Sequence, residues 1–443
     1  MFKITANHVQ NAQFSVLLRN ARKRVGMTQR QLAEISTISV RAIRDLELER
    51  TRTPRIQTIR LLADALRLSK ARRAELEAAA GPFVGEPLID ELIAPPAPLG
   101  PIIGRGRETA TLTAMLESSG HRLVKVVGMP GVGKTRLIHE VASVLHQSGR
   151  MPAVCIELNG PGPVGDDPRD PANTLLGRIA DLLGCEPALD DLAAVLAKND
   201  ILLTVDGRDL DQDDELMLRL MLSRCPGLRV LYETCETSPT AGDPVFPVFP
   251  LAVPEWARGE ARDADLAAYP AVEFMRSRCA QLYLETAADM EVTAAIARIC
   301  WHLDGVPAVL EAAASWLLLY EPAQLLDPAA GLPAMLTNAL VNADDSLTAW
   351  LARTVAALPV EDTEGLRRLA DADPWTVDQA VGLLGGPAAA ALRAIHLLRT
   401  LGLVRRIAGA SGEPPRFSVL NLVRHALPPR TVTVQRQLTC TVP

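Results

Sequence analysis

The apolar positions of the chain change their period as it proceeds. From residue 14 to 79 they recur at helical spacing: Leu17, Leu18 and Ala21, then Leu32 and Ile35, then Ile43 and Leu46, then Ile59, Leu62 and Leu66. This predicts a compact all-α unit. A stretch rich in proline and glycine follows, with Gly81-Pro82 and then Ala94-Pro95-Pro96-Ala97-Pro98-Leu99-Gly100-Pro101, and predicts an extended linker. From Ile102 to about Pro254, short apolar runs alternate with helical patterns. The runs 123–127, 153–158, 201–205 and 228–232 predict buried strands, and the helices between them predict a doubly wound α/β parallel sheet. Beyond Pro254 the pattern is helical and rich in Ala and Leu, closing with two β-prone arms, 403–407 and 416–419, around a turn at 409–415. No repeat with a period of 20–50 residues runs through it.

Composition narrows the class. The 443 residues, 48% of them hydrophobic, suffice for two to four domains with their own cores. No run of 18 uncharged apolar residues occurs, so no membrane span is expected, and the N-terminus shows no secretory signal. Seven cysteines lie far apart without a Cys-x-x-Cys pair, which argues against a disulfide framework and a zinc site and for a reducing cytoplasm. Charge divides the chain. Residues 1–80 carry 16 Lys+Arg against 7 Asp+Glu, a net of +9 on a chain of net −6, so the remainder carries −15. A basic end on an acidic body points to a polyanionic partner at that end.

Two segments carry chemistry. Residues 128–135 read Gly-Met-Pro-Gly-Val-Gly-Lys-Thr, a full match to the phosphate-loop pattern, between an apolar strand and a helix. Gly128, Gly131 and Gly133 let the backbone turn its N–H groups on a phosphate, and the helix N-terminus adds a favourable field. Met129, Pro130, Val132 and Arg136 belong to the same predicted nucleotide site. With ATP or ADP as the expected ligand, Lys134 is expected to reach the β-phosphate and, in ATP, the γ-phosphate, and Thr135 to offer its hydroxyl to Mg²⁺. The strand 201–205 ends in Asp206, the expected second Mg²⁺ group, with Gly207 rather than a carboxylate after it. The second segment is 26–50. Thr28 suits the cap of a helix 29–35, Ser39 the cap of a helix 40–46, and the corner between them is short, as in a helix-turn-helix whose second helix enters the major groove of double-stranded DNA.

That segment resembles the Cro/repressor-like (XRE) helix-turn-helix family, through Gly26-Met27-Thr28-Gln29, Leu32-Ala33-Glu34, Ile38-Ser39, Ile43, Leu46-Glu47, Pro54 and the run 59–66. The resemblance implies that Gln29 and Arg30 touch phosphates, that Ser39, Val40, Arg41 and Arg44 face bases, and that Arg52 and Arg55 clamp the backbone, with Thr28 also in the expected DNA-binding set. Thr37 stands where many members have glycine. The body, over roughly 102–425, resembles the STAND/NB-ARC signalling ATPases, especially regulators that join such a module to a DNA-binding domain. The resemblance rests on Ile103-Gly104-Arg105-Gly106-Arg107-Glu108, the phosphate loop, Asp206, Cys225-Pro226-Gly227-Leu228, Phe249-Pro250-Leu251 and Leu303-Asp304-Gly305-Val306-Pro307, in that order. It implies that Arg105 lies in the segment covering the base, that Pro307 contacts the nucleotide, and that the last part is a winged helix. The expected domains are a helix-turn-helix at 1–80, a linker at 81–101, the α/β domain at 102–254, a helical subdomain at 255–342, the winged helix at 343–428 and a tail at 429–443.

Two departures shape the functional expectation. Cys235 stands where these ATPases carry an arginine that senses the γ-phosphate, and the winged-helix motif reads Val419-Leu420-Asn421. An arginine in such a role is worth ~10³-fold or more in rate. The expectation is a nucleotide-switched, self-associating transcriptional regulator with at most slow ATPase activity and a protein partner as signal. An active STAND ATPase in defence or signalling, and a nucleotide-locked interaction scaffold, stand as alternatives.

Overall fold

A computed structural model describes residues 14–36, 38–48, 56–66, 100–118, 120–158, 174–183, 188–196, 200–235, 244–257, 260–261, 265–282, 290–326, 347–357, 360–407 and 413–427, with isolated positions between 68 and 96. It divides into two units, residues 1–94 with 162–199, and residues 95–161 with 200–443.

The first unit holds the helices 14–24, Gln29–Ser36, Val40–Glu47 and Ile56–Ala65. Their apolar faces meet in a core of Phe14, Leu18, Leu32, Ile43, Leu46, Ile59, Leu62 and Leu66. Ile35, expected inside, is 56% exposed. The buried stripe of this helix runs through Leu32 and Ser36, one turn apart, and leaves Ile35 off it. Two further helices of this unit, Leu175–Leu183 and Leu189–Leu196, pack on each other, and Leu175, Ile179, Leu192 and Leu196 are buried. They fall within the span whose pattern predicts the α/β domain.

The second unit is built on a parallel sheet of β1 (Leu123–Val127), β2 (Ala153–Glu157), β3 (Ile201–Asp206), β4 (Leu228–Thr234) and β5 (Val245–Pro247), in the order β2-β3-β4-β1-β5. The four predicted strands are present within two residues at each end. β5 was not anticipated. It is three residues long and ends in a proline, which an edge strand tolerates because one side of its backbone needs no donor. β4 lies between β1 and β3, so the end of β4, not that of β3, neighbours the loop that leaves β1.

β1 is buried along its length yet carries a lysine. Lys125 Nζ lies 2.8 Å from Glu215 Oε1, the Tyr232 hydroxyl donates to the same oxygen at 2.9 Å, and the ammonium sits 5.5 Å from the Tyr232 ring centroid. Burial alone would raise the Glu215 carboxyl, but the bonds from Lys125 and Tyr232 outweigh it and hold the group below its ordinary range. The buried charge is thereby matched, as low-dielectric surroundings require.

Helices Pro270–Gln281, Met290–His302 and Pro307–Trp316 pack together beyond the sheet. Pro270 and Pro307 each stand at a helix start, where the missing N–H costs nothing. The last part comprises helices Leu347–Ala357, Val360–Asp371, Val377–Leu384, Ala388–Thr400 and Asn421–Ala426, and the short strands β8 (Trp375–Thr376), β9 (Val404–Ile407) and β10 (Arg416–Val419). These strands form an antiparallel sheet in the order β8-β10-β9, with the predicted 403–419 hairpin as its larger half; β6 (Trp256–Ala257) and β7 (Glu260–Ala261) make a separate small ladder. One continuous apolar core runs from the sheet through the helices to β10. Among the described residues no single helix is long and apolar enough to cross a membrane, and five cysteines are free thiols.

Candidate functional site

The loop after β1 has the conformation its glycines permit. Gly131 and Gly133 have φ of +74° and +96°, a region L residues avoid. A Cβ on Gly128 would stand 2.6 Å from the Val248 carbonyl oxygen, and one on Gly131 would stand 2.7 Å from the Ala308 Cβ. The helix Lys134–Gln147 starts on Gly133, and no side chain caps it. Its first N–H groups therefore remain for a ligand, the arrangement that receives a phosphate.

The loop borders a cavity of about 850 Å³, ample for a nucleotide. Of the predicted set, Arg105, Pro130, Gly131, Val132, Gly133, Lys134, Thr135, Arg136 and Pro307 line it. Gly128 and Met129 lie beneath, and Met129 is fully buried. Lys134 is folded onto its own loop: Nζ donates to Gly128 O at 3.0 Å and Met129 O at 3.3 Å, and lies 3.2 Å from Cys235 Sγ. Burial raises the Cys235 thiol despite the opposing pull of Lys134. The thiol thus stays protonated and leaves the lysine charge for an anion.

Arg105 is buried, and its guanidinium donates to Val132 O at 2.9 Å and Phe249 O at 2.7 Å while pairing with Glu108 at 3.1 Å. It braces the loop from the side as well as bordering the cavity. Arg136 reaches the Gly100 carbonyl, closing the entry segment over the helix start. Opposite, the Ala308 N–H donates to Gly131 O at 3.1 Å, and Leu251 N–H donates to Gly305 O at 2.9 Å. A Cβ on Gly305 would stand 2.2 Å from Leu251 O. The turn 304–307 is thus seated on the phosphate loop, with Pro307 beginning the helix that runs away from it.

Asp304 joins this turn to the C-terminal part. It has φ +54°, is 1% exposed, accepts from Leu422 N–H at 2.8 Å and lies 3.4 Å from Arg405. Burial pushes its carboxyl up to about 6, against the pull of Arg405 and the backbone donors. Asn421 Nδ2 donates to Trp301 O at 2.9 Å beside it. On the same side Arg399 stacks over the Phe249 ring at 3.5 Å.

The carboxylates differ from expectation. Asp206 is 2% exposed, does not line the cavity, and has Oδ2 2.9 Å from His139 Nε2. Glu233, at the end of β4, does line it. Its Oε2 accepts from the Thr135 hydroxyl at 2.7 Å and its Oε1 from Gly207 N–H at 3.1 Å. Sequence reasoning passed over Glu233 because only the strand order shows which strand end meets the loop. The signal was nevertheless present, a carboxylate closing an apolar run, as at Asp206. The far wall, with Phe274, Arg278, Glu311, Trp350 and Arg353, was likewise not anticipated. Arg278 lies 5.1 Å from the Phe274 ring centroid and 3.5 Å from Glu311.

In the first unit, Thr28 and Gln31 cap the helix Gln29–Ser36 reciprocally: Gln31 N–H donates to Thr28 Oγ1 at 3.2 Å and Thr28 N–H to Gln31 Oε1 at 2.9 Å. Ser39 Oγ accepts from Ala42 N–H at 3.2 Å, as a cap should. The helix Val40–Glu47 buries Ile43, Leu46 and Glu47 and leaves Val40, Arg41 and Arg44 exposed. Arg30 is also exposed, whereas Gln29 donates to Glu47 Oε2 at 2.8 Å. Glu47 receives Arg22 on both oxygens, at 2.6 and 2.9 Å. Burial opposes its charge, but Arg22 and Gln29 prevail and hold the carboxyl below its ordinary value. Thr37, Arg52 and Arg55 lie outside the described residues.

Comparison with solved structures finds similarity to that of Drosophila ORC bound to DNA, at 14% identity over 77% of this chain and 90% of that one, with a TM-score of 0.33. It also finds that of C. elegans PCH-2, at 13% identity over 57% and 71%, with a TM-score of 0.31. Likeness at these levels supports no inference about this chain. No curated protein matches it. Residues 18–71 match the family described as Helix-turn-helix, so this part of the chain is an XRE-type helix-turn-helix domain.

Proposed function

We propose that this chain is a DNA-binding transcriptional regulator switched by ATP or ADP held with Mg²⁺ in the phosphate loop. The observation that carries the reading is the contact of the loop with the turn 304–307, through Ala308 N–H and Gly131 O. A ligand that moves the loop must disturb this turn, and Asp304 transmits the disturbance to Arg405 and Leu422 in the C-terminal part. Two packings of that part would be the bistable element a ligand biases.

Lys134, released from Gly128 O and Met129 O, would take the β- and γ-phosphates, and Thr135 would face the metal, with Asp206 behind it. Bound Mg²⁺ supplies positive charge between the phosphates. Phe274 and Trp350, on the far wall, would border the base. The motif order resembles the STAND/NB-ARC signalling ATPases, and the three strands β8–β10 with their helices fit the winged helix of that family. Cys235, standing where the resemblance places a γ-phosphate arginine, supports slow turnover, below about 1 s⁻¹. Arg41 and Arg44 would read bases, Ser39 and Val40 would border them, and Thr28, Gln29 and Arg30 would lie at the backbone. Such readers act as dimers on paired half-sites, so self-association would tune affinity.

A pull-down of genomic fragments by the full chain, with ADP, ATP or no nucleotide, tests this reading. Enrichment of discrete fragments that changes with nucleotide supports it. Recovery of the same fragments in all three conditions, or of none, would overturn it.

A further inference from the structure

The sequence pattern assigns the second Mg²⁺ group to Asp206, at the end of β3. The cavity is bordered instead by Glu233, one strand nearer the loop. The parallel register explains the exchange. Val127, the last residue before the loop, pairs with Thr234, so Glu233 sits beside the loop's start, while Asp206 is a further strand away. Asp206 is also occupied, with its Oδ2 against His139 Nε2. Glu233 holds the very hydroxyl that a phosphate-loop threonine turns to the metal, Thr135 Oγ1, at 2.7 Å. A carboxylate within hydrogen-bond reach of that hydroxyl is in place to accept from a water in the cation's shell once the hydroxyl turns.

Resting on the nucleotide reading above, we propose that Glu233 is the carboxylate that receives the hydrated Mg²⁺ of the bound nucleotide. Asp206 acts behind it, through His139 and the end of β3. Glu233 also accepts from Gly207 N–H, so one side chain ties the ends of β3 and β4 to the loop helix. Among the described residues no three acidic, His or Cys side chains converge as a metal site. A cation here takes its remaining ligands from phosphate and water, and its binding is tied to the nucleotide. Here Glu233 meets the loop helix at Thr135, whereas Asp206 meets it further along, at His139.

The test is an Mg²⁺ titration of the full chain with a fluorescent, non-hydrolysable ATP analogue, reading the Mg²⁺ concentration that half-completes the gain in affinity. Glu233→Gln is expected to raise this midpoint by about 10–100-fold, the usual loss when a group supporting a metal is removed. Affinity without Mg²⁺ should be unchanged or tighter, since one negative charge leaves the phosphates' surroundings. Glu233→Asp keeps the charge at shorter reach and should shift the midpoint the same way by less. Asp206→Asn should shift it less than Glu233→Gln. A wild-type midpoint in Glu233→Gln, or a larger shift in Asp206→Asn, would overturn the assignment while leaving the nucleotide site intact. A wild-type chain that binds no analogue at any Mg²⁺ concentration would sink the nucleotide reading itself and this assignment with it.

Discussion

Replacing Asp304 by Asn should remove a defined part of the pH dependence of stability. The carboxyl is raised from its ordinary 3.8 to about 6 by burial. A raised acid favours the folded state while it is protonated there, so its contribution is complete below the unfolded value and is lost as pH rises through about 6. The full span corresponds to roughly 3 kcal/mol, at 1.36 kcal/mol per unit. At pH 5 the folded group is largely protonated and the unfolded one largely ionised, which leaves about 1.4 kcal/mol relative to pH 8. Asn tolerates the positive φ of this position and can still accept from Leu422 N–H. The assay is urea unfolding of wild type and Asp304→Asn at pH 5 and pH 8, read by tryptophan fluorescence, with Trp301 adjacent to the site. All other titrating groups cancel in the double difference. The account expects wild type to lose about 1.4 kcal/mol more than the variant between the two pH values. Equal losses, or a variant that is several kcal/mol less stable at both, would refute the reasoning, the second by showing that the charge itself holds Arg405 and the helix Asn421–Ala426.

Three other outcomes follow from the same contacts. Gly131→Ala should destabilise the chain by more than the ~1–2 kcal/mol of left-handed backbone strain, because its Cβ meets Ala308, whereas Gly133→Ala, with open space around it, should incur the strain alone; unfolding of the two variants without nucleotide measures the difference. Glu47→Gln should cost the helix-turn-helix about 1–3 kcal/mol by leaving half-buried Arg22 without its charged partner, and wild type should lose stability as pH falls through the carboxylate range while the variant does not, as amide exchange in the helix Val40–Glu47 would report. Arg44→Ala should weaken binding to a recovered DNA fragment by about 1–3 kcal/mol and lower the salt dependence if a phosphate contact is lost; unchanged affinity would place the reading face elsewhere.

What could be read along the chain was what depends on near neighbours. The strands of β1 to β4, the phosphate loop, and the caps Thr28 and Ser39 all declare themselves within a few residues, through burial runs, glycine spacing or a single oxygen. The places of Asp206 and Glu233 could not be read that way, since both close an apolar run and only the folded sheet shows Glu233 on the Thr135 hydroxyl and Asp206 against His139. Lys125 shows the same limit from the other side, because a charge inside a buried strand is intelligible only once Glu215 and Tyr232 are seen around it. Asp304 stands in the short motif that ends at Pro307, but its link to Arg405 spans 101 positions of sequence. Ile35 faces outward because the buried stripe of its helix runs through Leu32 and Ser36.

The central claim is that nucleotide in the phosphate loop governs DNA binding. It is tested most directly by the affinity of the full chain for one recovered fragment, at fixed salt, without nucleotide and with ADP or ATP and Mg²⁺, for wild type and for Lys134→Ala. The account predicts an affinity that depends on nucleotide in the wild type and becomes indifferent to it in the variant. Wild-type affinity identical in all three conditions would contradict it.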